Sequence, residues 1–154
     1  MDKNILIEYA DMKEEIKDLR RRIEQNKKEL SRLNGQIVMD SVSCGKKGKK
    51  PLGMVKITGR PVTAISRKES LLNKRIRRLE ELEEELLELT IQVDEYIETI
   101  EKSELRIIFR LYYIDDLTWY QVALRMNQNF PKRKVKYTED NCRMRHNRFL
   151  EKLE

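Results

Sequence analysis

From Ile5 onward, apolar residues recur at Tyr9, Met12, Ile16, Leu19, Ile23, Leu30, Leu33 and Ile37, in alternating steps of four and three. One apolar position is missed, at Asn26. A heptad sustained this long admits little but a long helix with a partner along one side. Over residues 4–38 the rod would be roughly 50 Å long at the standard helical rise. With Tyr9, Ile16, Ile23, Leu30 and Ile37 at position a, Met12, Leu19, Asn26 and Leu33 fall at d. Mostly Ile at a with Leu at d favours two strands in a parallel pairing. An Asn in the seam costs stability and needs a polar group opposite, which penalises wrong registers.

A second rod is expected over residues 66–102. Ser66 and Glu69 have the spacing of a capping box at its start. Leu72, Ile76, Leu79, Leu82, Leu86, Leu89, Val93, Tyr96 and Ile100 follow. The two three-residue steps from Ile76 to Leu82 resemble a stammer, which overwinds a coiled coil locally. Each apolar stripe is too narrow to hold its helix alone in water. An antiparallel helical hairpin, with self-association covering the remaining surface, is the economical solution.

Between the rods lies SVSCGKKGKKPLGMVKITGRPVTAI, with four of the five glycines and two of the three prolines. It is too long for an ordinary turn between helices, and reads as a flexible basic loop over residues 41–65. Its Gly45-Lys-Lys-Gly48-Lys-Lys run lacks the spacing and the preceding strand of a phosphate loop.

The net charge of +6 is unevenly placed: +1 over residues 1–39, +5 over 40–65, −4 over 66–102 and +4 over 103–154. The positive charge therefore belongs to the linker and the C-terminal end, a distribution that favours nucleic acid over a uniformly adhesive protein. Charged residues at 39% with aromatics at 6% suit long helices better than a thick globular core. Cys44 and Cys142 lie far apart, and one histidine cannot complete a zinc site with them. Both read as reduced thiols of a cytoplasmic protein. No stretch is apolar enough for a signal segment or a membrane span.

The last third, Ser103 to Glu154, carries three short amphipathic segments. Leu105, Ile108, Phe109, Leu111 and Tyr112 give the first its apolar face. Leu117, Val122, Ala123 and Met126 serve the second; Cys142, His146, Phe149, Leu150 and Leu153 serve the third. Thr118 with Gln121 forms a capping-box pair, and Thr138 followed by Glu139 and Asp140 suits a helix start. Away from its apolar stripe the last helix offers Asn141, Arg143, Met144, Arg145, Asn147 and Arg148. Arg and Asn are the side chains that fork onto guanine and adenine edges in the major groove. The N-terminal part of a recognition helix meets the bases, so Asn141, Arg143, Met144 and Arg145 are the candidate base readers. Arg148 and the loop cations Lys132, Arg133, Lys134 and Lys136 suit phosphates, which position without specifying. A solvated basic face would give a similar pattern on one helix. Three helices in the order of a helix-turn-helix make DNA the stronger reading.

The stretch LRIIFRLYYIDDLTWYQVALRM…YTEDNCRMRHNRFLEK resembles the C-terminal domain of ArpU-like phage transcriptional regulators, itself similar to the promoter-recognising C-terminal domain of bacterial sigma factors. The likeness rests on Arg110, Tyr113, Ile114, Asp115, Leu117, Trp119, Val122, Ala123, Arg145, His146, Arg148, Phe149 and Leu150. It covers about the last third of the chain. It implies a phage or prophage DNA-binding regulator in a bacterial host. One departure is the inter-helix turn, which in this chain runs from Gln128 to Tyr137 with a proline and a basic cluster, where the family has a short one.

The expectation is thus an all-α chain: a coiled-coil helix over 1–40, the basic loop, a second coiled-coil helix over 66–102, and a three-helix helix-turn-helix unit over 103–154. Its expected partners are double-stranded DNA and a second copy of itself, as a homodimer or larger. Transcriptional activation would add host RNA polymerase. No nucleophile constellation, metal-ligand spacing or glycine-rich cofactor turn is present, so a binder without cofactor is expected rather than an enzyme. His146 reads as a packing or phosphate-contacting group, and Trp119 as core. The alternative is a small terminase subunit or other packaging protein, which also joins a helix-turn-helix to helical rods.

Overall fold

The computed structural model describes residues 4–36, 38–47 and 50–152, and side chains for all of these except 38–55. Ile37, Gly48 and Leu153 lie outside the described residues, as does the side chain of Cys44. The described chain is mostly helical. Helix α1 spans Asn4–Asn34 and α2 spans Val62–Glu98. Then come α3 (Ser103–Phe109), α4 (Trp119–Asn129) and α5 (Glu139–Glu151). Strands β1 (Val38–Lys47) and β2 (Lys50–Gly59) separate the long helices.

The strands correct the expectation of a loop over residues 41–65. They pair antiparallel from Val38↔Gly59 to Lys47↔Lys50. Val38, Val42, Val55, Ile57 and Thr58 are β-branched, which suits paired strands. Glycine and proline content had masked that signal. Pro51 is tolerated because each strand of a two-stranded sheet is an edge. The second long helix also starts earlier than Ser66. It begins at Val62, directly after Pro61, whose carbonyl accepts the Ile65 N–H at 3.0 Å. Proline suits a helix start because its missing N–H would have no partner there. Ser66 and Glu69 are therefore interior to α2 and cap nothing.

The chain divides into two compact units. One holds Ile16–Glu81; the other joins the residues up to Glu15 with those from Leu82 on. In the first unit Ile16, Ile23, Asn26 and Leu30 are buried along α1, as the heptad requires. The polar group that Asn26 needs is Arg75 of α2, whose guanidinium donates to Asn26 Oδ1 at 2.7 Å. The Asn26 amide nitrogen is buried and meets no acceptor among the described residues. Glu29 pairs with Lys68. Moving from 26 to 29 on α1 moves from 75 back to 68 on α2, so the two helices run in opposite directions there.

The other unit has two buried clusters. Leu6 and Tyr9 of α1 share the first with Leu89, Val93, Tyr96, Ile97 and Ile100, and with Phe109 of α3. Phe149 and Leu150 of α5 pack against it. The second cluster holds Ile108, Leu111, Val122, Ala123, Met126, Tyr137 and Cys142. The last third of the sequence is thus built onto the ends of the long helices rather than around a core wholly its own.

Helix α3 runs into a π-helical turn, Arg110–Ile114. The Asp115 N–H reaches the Arg110 carbonyl at 3.0 Å, and the Leu117 N–H reaches that of Leu111 at 3.1 Å. The first is the i→i−5 bond of a π-helix, and the second is one residue wider than the 6→1 bond of a Schellman ending. Asp116 takes the left-handed conformation that such an ending needs, with φ of 57°. Asp is among the few non-glycine residues that tolerate it. Its carboxylate also faces Lys13 at 3.4 Å.

Candidate nucleic-acid interface

Both C-terminal helices start where their hydroxyl residues predict. Thr118 caps α4: its hydroxyl accepts the Gln121 N–H at 3.4 Å, and Gln121 Oε1 accepts the Thr118 N–H at 3.0 Å. Thr138 caps α5, accepting the Asn141 N–H at 3.2 Å. Glu139 and Asp140 occupy the first turn of α5, at the positive end of its dipole. Tyr137 and Cys142, on either side of the cap, are both buried in one cluster. That is a hydrophobic staple, which fixes the angle at which the chain enters the helix.

The segment between α4 and α5 is long, but it is held at defined points. Asn127, near the end of α4, grips both polar groups of the Tyr137 backbone. Its Oδ1 accepts the Tyr137 N–H at 2.7 Å, and its Nδ2 donates to the Tyr137 carbonyl at 2.9 Å. A second anchor is Glu104 of α3. Its carboxylate meets Arg133 at 3.0 Å and also pairs with Arg145 of α5. Arg133 donates to the Tyr137 hydroxyl as well, and its guanidinium lies 4.7 Å from the centre of that ring. Burial pushes the Glu104 carboxyl up, but Tyr137, Arg133 and Arg145 more than offset this, and it titrates below the ordinary 4.5. Burial, then the neighbouring Glu104, pushes the Tyr137 hydroxyl up to about 12.

These contacts divide the nine candidate DNA-contacting residues. Arg145 is tied inward: besides Glu104 it holds Asn141 Oδ1 at 2.6 Å, and its side chain is 34% exposed. Asn141 is thereby occupied, and Arg133 is bound to Glu104 and Tyr137. Arg143, Met144 and Arg148 are exposed, together with Asn147. Arg143 meets its own-helix neighbour Asp140 at 2.6 Å, an exposed pair that yields readily to a better anion. Lys132, Lys134 and Lys136 are exposed on the turn, and Lys136 donates to the Pro131 carbonyl at 3.2 Å.

Sequence reasoning missed Glu104, Asn127 and Tyr137. Only Tyr137 carried a readable signal, as the apolar residue before an N-cap with Cys142 five residues on.

His146 is buried, at 6% exposure, among the rings of Phe109, Tyr112, Tyr113 and Trp119. Its Nδ1 lies 2.9 Å from Asn147 Oδ1, which can only accept, so the proton sits on Nδ1. Nε2 then accepts from the Tyr113 hydroxyl at 2.9 Å. Burial pulls the imidazole below its ordinary 6.5. It is a packing group, and phosphate cannot reach it. Trp119 stacks on Tyr112 with ring centres 4.1 Å apart and lies half-buried. The Cys142 thiol is free, fully buried and pushed up by that burial.

No helix among the described residues is long and apolar enough to cross a membrane. No protein family model, no curated protein and no solved structure matches the chain.

Proposed function

We propose that the chain is a sequence-specific DNA-binding regulator of the phage type, acting in a bacterial cytoplasm without a cofactor. In this reading α1 and α2 form a helical hairpin, and α3, α4 and α5 form a helix-turn-helix unit with α5 as the recognition helix. The observation that carries it is the two-sidedness of α5. Cys142 and His146 are buried on one side, while Arg143, Met144, Asn147 and Arg148 stand exposed on the other. The resemblance to ArpU-like regulators supports the same reading.

The roles shift from those the sequence suggests. Arg143 and Met144 read base edges, since they are exposed and lie in the first two turns. Arg148, Lys132, Lys134 and Lys136 contact phosphate. Asn141, Arg145 and Arg133 set the posture of α5 from behind. Binding sites selected from a random duplex pool, then compared with unselected DNA across a salt series, test this. Arg143→Ala should narrow the gap between selected and unselected DNA by ~1–3 kcal/mol. Lys132→Ala with Lys134→Ala should weaken both alike and lower the salt slope by about two units. Loss of specificity in the loop variants but not in Arg143→Ala would move the reading surface off α5.

A further inference from the structure

The two compact units differ in the sign of their charge. Residues 16–81 carry 19 basic and 7 acidic side chains, a net +12. Residues 1–15 and 82–154 carry 14 basic and 20 acidic ones, a net −6. Both long helices change sign at that boundary. In α1, residues 4–15 hold one basic and four acidic side chains, and 16–34 hold seven and three. In α2, residues 62–81 hold six and three, and 82–98 hold none and seven. The segment between the helices, 35–61, adds six basic side chains against one acidic. The unit that presents α5 is thus acidic as a whole, and the chain's attraction for a polyanion is concentrated in the other one.

Much of the acid in that basic unit is already taken. Asp18 is met by Arg21 and Arg22, both at 2.6 Å, and Glu29 pairs with Lys68. On α2, Arg67, Ser70, Lys74 and Arg77 follow one another in steps of three, four and three, which makes them one stripe, and all four are exposed. Glu81, next in line, ends the stripe and is itself met by Arg78 at 3.2 Å. Among the described residues no carboxylate pairs with Arg67, Lys74 or Arg77. The β1–β2 ribbon adds a second basic element. Its register sets Lys47 opposite Lys50 and Lys46 opposite Pro51, so three lysines gather at the end opposite the helix connections. Ten residues in each strand make a ribbon of roughly 30 Å, and the major groove of B-DNA admits a two-stranded ribbon.

We propose that the Ile16–Glu81 unit is a second DNA contact, one that grips duplex phosphates without reading bases. The Arg67–Ser70–Lys74–Arg77 stripe meets the backbone, and the lysine end of the ribbon meets the phosphates that line a groove. Phosphates are the same at every base pair, so this contact is independent of sequence. It supplies the non-specific affinity that a unit of net −6 lacks, and it holds whether or not α5 reads bases.

Titration of the full chain against a random-sequence duplex, read by fluorescence anisotropy over a salt series, tests the assignment. Arg67→Gln with Lys74→Gln and Arg77→Gln should weaken binding at least about tenfold near ~0.1 M salt and lower the salt slope by about two to three units. Lys46→Gln with Lys47→Gln and Lys50→Gln should act in the same way and leaves α2 untouched, so it decides the matter even if the first variant loses helix by circular dichroism. In both variants the preference for selected over random duplex should hold. An unchanged slope in either folded variant overturns the contact at that element, and in both it overturns the proposal. A full response here with no effect of Arg143→Ala on selectivity overturns the α5 reading alone. Tighter binding to phosphatidylserine–phosphatidylcholine vesicles than to the duplex would make an anionic membrane the partner and overturn DNA.

Discussion

Neutralising Glu104 probes the device that holds α5 in place. Glu104→Gln keeps the size of the side chain and removes the charge that Arg133 and Arg145 share. The Glu104 side chain is 24% exposed and that of Arg145 is 34% exposed, so this pair stands between a surface pair and a buried one. Charge-assisted hydrogen bonds contribute ~1.5–3 kcal/mol and exposed pairs under ~1. Discounting for solvent, the Glu104–Arg145 coupling should be about 1 kcal/mol. A double-mutant cycle of Glu104→Gln and Arg145→Ala, read by urea denaturation, isolates that term. The pH dependence follows from the direction of the shift. The folded carboxyl titrates below its ordinary 4.5, so its stabilisation is present above that pH and is lost as pH falls through the folded value. Parent and Glu104→Gln should therefore differ at neutral pH and converge in acid. Freed of Glu104, the two guanidiniums should also steepen the salt dependence of binding to unselected DNA. A coupling below about 0.3 kcal/mol, which is within ordinary additivity, or a stability gap that survives acidification, would refute the anchoring role.

Asn127→Ala removes both bonds to the Tyr137 backbone and should cost ~1–3 kcal/mol by chemical denaturation, with a larger loss of DNA selectivity than of DNA affinity. His146 is held neutral, so stability should begin to fall as pH drops below 6.5 and keep falling towards the lower folded value; a thermal-melt series against His146→Gln should show the variant less sensitive across that window. Arg75→Leu leaves the buried Asn26 with neither polar atom met and should cost ~1–3 kcal/mol, which Asn26→Leu in the same chain should largely return. Asp116→Gly should change stability little, because the relief at φ of 57° is set against a freer unfolded chain, whereas Asp116→Val should cost about 1–2 kcal/mol.

The long helices and the two capped starts were legible because each rests on local chemistry. Heptad spacing places Ile16, Ile23 and Leu30 inside, and Thr118 and Thr138 can satisfy a backbone N–H only at a helix start. Asn26 was legible as a polar seam residue, but the sequence could not say that its partner would be Arg75, 49 residues away. The hairpin was missed because residues 38–59 mix glycine, proline and lysine with the β-branched residues that make strands. The site was read in part. Its basic residues are plain in the sequence, yet whether an arginine faces solvent or a carboxylate depends on tertiary neighbours. Nothing local distinguishes Arg143, beside Asp140 on the surface, from Arg145, which meets Glu104 41 residues earlier.

The core that joins Leu6 and Tyr9 to Phe109, Phe149 and Leu150 has a consequence for the order of events during synthesis. Helix α1 is made before its cover: the residues that bury Leu6 and Tyr9 follow about 80 to 140 positions later. At ~5–20 residues per second, the last of them arrive roughly 7 to 28 seconds after Tyr9. Until the first of them arrive Leu6, Tyr9 and Met12 have no native cover, until the last arrive that cover is incomplete, and a neighbouring nascent chain presents the same stripe. Helix α1 thus waits for α5, and the waiting period is when it is most exposed to pairing with the wrong copy.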